Sequence, residues 1–151
     1  MRRLLGTLRS ASADSPGELD RGLGQLDALI AEASADGRQV DVRVEGEPID
    51  LPPALDRSAY RILQEGLTNV RRHADGAACS VTVRYAKDAL ELSVLNGASD
   101  AADVPPERAA GYGLVGVRER VVALAGEMTA GPESTGGWAL RTRLPLEPRR
   151  R

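Results

Sequence analysis

Glu65, Asn69, Arg72 and His73 combine side-chain types that do chemistry with a spacing that groups them. They stand at i, i+4, i+7 and i+8, so on a helix of about 100° per residue they share one edge. A carboxylate can orient water or accept a proton, an amide oxygen can hold a hard cation, and a guanidinium beside an imidazole can face an anion. His73 is the only histidine of the chain. The same four residues also suit a solvated flank with helix-stabilising pairs worth about a few tenths of a kcal/mol each. Taken alone, the helix favours that plainer role.

Two further stretches have the same double character. In Gly111-Tyr112-Gly113-Leu114, glycines before a helix would let the backbone approach a ligand, and the free N–H groups with the helix dipole would favour an anion. A lone Gly-x-Gly is more often an ordinary turn. Asn96-Gly97 closes a strand. The Asn amide offers a donor and an acceptor to the edge of a base, but Asn-Gly is also a common turn signal.

The elements that must position these residues follow from periodicity. A helix from near Ala54 to Asp75-Gly76 carries the first group, with Ala59, Leu63, Leu67, Val70 and Ala74 as its core stripe and Gln64, Thr68 and Arg71 toward water. Before it come a short helix over residues 2–9, a linker to Gly17, a helix from Glu18 to Ser34 capped by Ser15-Pro16, and a strand over residues 39–45. After it come strands over residues 80–85 and 89–95, a loop from Asn96 to Ala110, a helix from Leu114 to Ala125 ended by Gly126, and strands over residues 127–130 and 138–144. Strands that follow one another directly predict an α+β fold. It is a two-layer α/β sandwich with a mixed, largely antiparallel sheet and the helices on one face.

The totals narrow the function classes. A chain of 151 residues suits one domain, and 42% hydrophobic residues can pack a core. With only 3% aromatics, that core must come from Leu, Val, Ile and Ala. A net charge of −2 gives no basic field for nucleic acid or an anionic membrane, and the Arg-rich tail lacks the aromatics that stack on bases. Cys79 is alone, so no internal disulfide forms, and its place at a strand start reads as core. No apolar run reaches the length of a membrane span.

Taken in chain order, the helix edge, Asn96-Gly97 and then Gly111 to Leu114, the three stretches resemble the ATP-binding domain shared by gyrases, heat-shock chaperones, histidine kinases and mismatch-repair ATPases, the Bergerat fold. The likeness is strongest to the catalytic domain of two-component sensor histidine kinases, in the branch paired with helix-turn-helix response regulators. Residues 59–74 follow that branch's N box and residues 111–121 its second glycine box. Gly136-Gly137-Trp138, running to Leu146, is similar to its closing strand. The resemblance covers roughly residues 19–146. It implies ATP and Mg²⁺ as cofactors, with Asn69 as the metal ligand and Glu65 as the catalytic residue. The ATP-binding residues it implies are Asn69, Arg72, His73, Asn96, Gly97, Gly111, Tyr112, Gly113 and Leu114. It also implies a domain plan of 1–17 as the end of a dimerisation helix with its linker, 18–147 as the catalytic domain and 148–151 as a basic tail.

Two departures qualify the likeness. The first glycine box usually begins with Asp, whose carboxylate accepts from the adenine amine. Here it reads Asn96-Gly97-Ala98, which implies weaker adenine recognition. The family phosphorylates a His upstream of this domain, whereas His73 belongs to the N box. The acceptor is therefore expected on a dimerisation domain outside this chain. The partners implied are that domain, a cognate response regulator, and a second subunit in a full-length homodimer. Neither nucleic acid nor direct membrane contact is expected. The expected location is cytoplasmic, whether or not the parent is anchored in the inner membrane. An anti-sigma-type serine kinase of the same fold and a non-catalytic interaction module remain as alternatives.

Overall fold

The computed structural model describes residues 21–73, 77–97, 112–134 and 136–147. The expected helix over residues 2–9, its linker, the Ser15-Pro16 cap, the loop to Ala110, Gly111 and the basic tail lie outside the described residues. A single 3-10 turn, Leu23–Gln25, leads into α1 (Leu26–Ala33). Then follow β1 (Val40–Glu45), α2 (Pro53–His73), β2 (Cys79–Tyr85), β3 (Ala89–Asn96), α3 (Tyr112–Ala123), β4 (Glu127–Pro132) and β5 (Trp138–Pro145).

The sheet order is β1-β2-β3-β5-β4, with β1 parallel to β2 and every other pair antiparallel. This is the mixed sheet expected. Parallel neighbours cannot be joined by a tight hairpin, so α2 serves as the crossover from β1 to β2. Alternation along the strands separates the two faces. Val81, Val94 and Leu140 form one buried row on the helix side, and Val83, Leu92 and Thr142 form the next. The opposite face carries the row Glu45–Arg84–Glu91–Arg143–Glu127, which alternates in charge across all five strands. Arg84 lies 3.2 Å from Glu91 and Arg143 lies 3.7 Å from Glu91. A face so charged stays in water, so the helices gather on the other one.

Details at the element ends differ from the sequence expectation. α2 begins at Pro53, a favoured first position because its missing N–H would have had no helical partner. Its buried surface is wider than the expected stripe and includes Leu55, Tyr60 and Ile62. The reason is that α1 and α3 cover its flanks while the sheet covers its base. For the same reason Gln64 and Thr68 are half-buried, and only Arg71 of the expected water-facing sector is exposed. Among the described residues regular α-helix begins at Leu26, and the turn before it is held both from outside and from within. Leu23 N–H donates to Asp56 Oδ1 at 2.9 Å, and Gly22 N–H to Gln25 Oε1 at 2.7 Å. At the end of α3, Ala125 takes the left-handed conformation (φ 57°), not Gly126. Gly126 is needed for space, because a Cβ there would stand 2.7 Å from the Arg143 carbonyl oxygen.

Candidate functional site

Register places the candidate residues at one end of the sandwich. Val40, Cys79, Asn96, Trp138 and Pro132 form a single cross-strand row on the helix side. Asn96 is the last residue of β3, and α2 ends six positions before Cys79, so the C-terminal half of α2 runs to the same end. α3 leads into Glu127, which pairs with Arg143 at the opposite end of the sheet. Its start at Tyr112 therefore lies at the Asn96 end. α2 and α3 pack side by side. The topology thus brings the C-terminal half of α2, Asn96-Gly97 and the first turn of α3 to one end of the sandwich.

Gly66 sets how deep α2 sits. A Cβ there would stand 2.9 Å from Val94 Cγ2 and 3.2 Å from Leu140 Cδ2. Its absence lets the helix rest on β3 and β5 just where Glu65 and Asn69 emerge. Both are half-buried, and no hydrogen bond joins either side chain to another described residue. Arg72 is exposed on the same edge. His73 is the last residue of α2, and its side chain lies outside the described set, as does that of Tyr112. Leu114 is half-buried and packs against the core.

Asn96 is half-buried, and its Nδ2 donates to the Gly97 carbonyl at 2.9 Å. That bond fixes the amide and leaves Oδ1 as the atom able to accept from a ligand. Gly97 N–H donates to the Ala78 carbonyl at 3.1 Å, extending the ladder beyond β3. No described atom lies within 4 Å of where a Cβ on Gly97 would stand, so packing among the described residues does not require glycine there.

Two supporting residues escaped the sequence reading of the site. Gly137 is buried, and a Cβ on it would stand 2.0 Å from the Asn96 carbonyl oxygen, so it lets β5 seat Asn96. The glycine pair before the last strand was the available signal. Arg38, in the turn before β1, donates from Nη1 to the carbonyls of Val70 (3.5 Å) and Ala77 (3.4 Å). A guanidinium at a helix C-terminus satisfies carbonyls and complements the helix dipole. Nothing local in the sequence marks it, because its partners are more than thirty residues away. Burial pushes the Cys79 thiol up to about 11, with the Arg38 guanidinium pulling the other way.

Among the described residues no group of three or more His, Cys, Asp or Glu side chains could enclose a metal ion. A cation here would rest on the Asn69 amide and on the ligand's own oxygens. That donor set suits a hard, largely hydrated ion such as Mg²⁺.

Comparison with known proteins gives the family. No protein-family model matches the chain. The sensor histidine kinase LnrJ of Bacillus subtilis is 29% identical over 110 residues, covering 73% of this chain and 26% of LnrJ. The histidine-protein kinase/phosphatase UhpB of Salmonella typhimurium is 30% identical over 151 residues, covering 96% of this chain and 28% of UhpB. The chain thus spans about a quarter of the length of these curated relatives. Among solved structures, the histidine kinase domain of the blue-light activated kinase of Erythrobacter litoralis superposes with a TM-score of 0.58 at 26% identity. That match covers 82% of this chain and 59% of the other. The catalytic domain of histidine kinase ThkA has the same fold, with a TM-score of 0.54 at 17% identity over 81% of this chain and 92% of that domain. By sequence and by fold, this chain is homologous to the catalytic domain of sensor histidine kinases.

Proposed function

We propose that the domain binds Mg-ATP at the end of the sandwich where α2, Asn96 and α3 meet, and donates the γ-phosphoryl group to a histidine on a dimerisation domain outside this chain. The feature that carries this reading is the topology that brings a Glu-Asn helix edge, a strand-end Asn and the start of α3 to one end of the sandwich. Bound there, Mg-ATP supplies a phosphoryl group whose charge is partly neutralised and ready for in-line transfer. The chain's residues do the positioning. Asn69 Oδ1 holds the cation. Glu65, one turn earlier, orients a water on it or takes up the acceptor's proton. Arg72 and His73 face the phosphates or brace Asn69. Asn96 Oδ1 accepts from the adenine amine, with Gly97 leaving the backbone open to the base. Gly111, Tyr112, Gly113 and Leu114 bring backbone N–H groups and the dipole of α3 toward the phosphates.

In the parent protein this activity would feed a response regulator, from a homodimer that carries the acceptor histidine. The relatives compared are histidine kinases, which gives no support to the serine-kinase reading. The test is calorimetric titration of the domain with ATP and Mg²⁺. Binding heat that disappears in Asn69→Ala is expected, and a wild-type domain that stays folded yet gives no heat overturns the reading.

A further inference from the structure

β1 is an edge strand: among the described residues only β2 pairs with it. Cys79 N–H donates to the Gln39 carbonyl at 3.0 Å, so the odd-numbered residues of this segment turn their backbone groups toward β2. Direction alternates along a strand, so Val40, Val42 and Val44 turn both N–H and C=O to the free edge. Their side chains continue the helix-side rows of Cys79, Val81 and Val83. The helix layer stops short of them. Val42 is 38% exposed and Val44 52%, while Val81 and Val83 are buried. Natural sheets blunt such an edge with charged side chains, lysine above all, with inward-pointing charges, with proline or with a bulge, and here the three charges, Asp41, Arg43 and Glu45, all lie on the face away from the helices. Residues 40–45 contain neither lysine nor proline, and their register with β2 is unbroken.

The geometry points to a second copy of this chain as the partner, with β1 pairing antiparallel to β1 about a two-fold axis at Val42. In that register Val42 faces Val42, and Val40 faces Val44 of the copy, so the exposed valines cover one another. On the other face Asp41 stands opposite Arg43 of the copy, twice by symmetry. Among the described residues Asp41 meets only the Gln39 amide, at 3.5 Å. Moving the axis to Arg43 pairs the same length of strand but sets Arg43 against Arg43 and Asp41 against Glu45. Like charges directly opposite destabilise a strand pair and opposite charges stabilise it. Axes at Asp41 or Val44 leave half of β1 unpaired, and axes beyond them leave more. The strand's own charge order thus selects one self-complementary register. One short strand buries far less than the ~1,200 Å² of a stable complex, so the pair dissociates on the order of 100 μM to 1 mM.

The test is sedimentation equilibrium of the whole chain up to about 1 mM, across that dissociation range. Wild type is expected to rise from the 16.0 kDa monomer toward twice that mass. Arg43→Asp should weaken association about tenfold, because Asp41 would then face a carboxylate of the copy in place of a guanidinium. The exchange Asp41→Arg with Arg43→Asp should restore it. Both positions are exposed, and circular dichroism confirms that each variant is folded. A wild type monomeric throughout, a dimer indifferent to Arg43→Asp, or a loss that the exchange does not restore each overturns the proposal.

Discussion

Gly66 of α2 faces Val94 of β3 so closely that a Cβ on the glycine would stand 2.9 Å from Val94 Cγ2. Val94 is β-branched, buried and held in the middle of the sheet, so it has little room to yield. In Gly66→Ala the helix gains about 1 kcal/mol of propensity. Overpacking costs about 1–3 kcal/mol. The expected net result is a loss of about 1 kcal/mol and a melting temperature lower by about 3 °C. Because α2 must lift at the turn that carries Glu65 and Asn69, affinity for Mg-ATP should fall with it. Thermal denaturation and nucleotide titration of the same preparation check both effects. An unchanged affinity would detach Gly66 from the site.

Glu65 and Asn69 should separate binding from transfer. Asn69 is half-buried with no hydrogen bond to another described residue, so Asn69→Ala should change stability by less than about 1 kcal/mol while removing Mg-ATP binding. Glu65→Gln keeps the shape and removes the base. It should retain binding within about tenfold and slow transfer to a supplied dimerisation domain by about 10² to 10⁴. Acid-labile labelled phosphate on that domain is the readout. Equal losses of binding and transfer in Glu65→Gln would place the carboxylate in nucleotide binding instead.

Much of this arrangement was legible in the sequence, and the parts that were not share a physical cause. The period of Ala59, Leu63, Leu67 and Val70 marked α2, and alternation marked β1, β2, β3 and β5, because both signals are local. The strand order was not local, yet it decides that Asn96 and the α3 start lie at the same end. The width of α2's buried face depends on α1 and α3 lying on its flanks, so Tyr60 and Ile62 could not be assigned from one helix wheel. Gly126 looked like a helix stop, but its role is space beside Arg143, while Ala125 takes the left-handed turn. Arg38 and Gly137 support the site through partners distant in sequence, and such contacts leave no periodic trace.

Thr142 breaks the apolar pattern of the core. It is 4% exposed in the row of Val83 and Leu92, and its Oγ1 has no hydrogen-bond partner among the described residues. A buried hydroxyl without a partner costs about 1–3 kcal/mol of lost hydration. Thr142→Val keeps the branched shape that the strand prefers and should raise stability by about 1 kcal/mol. Denaturant unfolding should show a higher midpoint with an unchanged slope. A lower midpoint would show that the hydroxyl is paired in solution.

Cys79 makes stability depend on pH in the alkaline range. It is 2% exposed, and burial raises its thiol from the ordinary 9.0 to about 11. The folded protein therefore keeps the proton while the unfolded chain loses it above about pH 9. The unfolded state then binds fewer protons, so stability falls as pH rises from about 9 to 11. Tyr85, raised by burial and by the Asp56 carboxylate, adds a loss of the same sign at the upper end. The thiol's share is on the order of 2 kcal/mol by about pH 11. Chemical denaturation at a series of pH values should show this decline, and Cys79→Ala should flatten it between about pH 9 and 11 and leave the Tyr85 portion. At about pH 7 the folded thiol should resist an aromatic disulfide reagent that labels it promptly once the chain is unfolded. Rapid labelling of the native protein, or an alkaline slope indifferent to Cys79→Ala, would place the thiol in water instead of at the base of the row that carries Asn96.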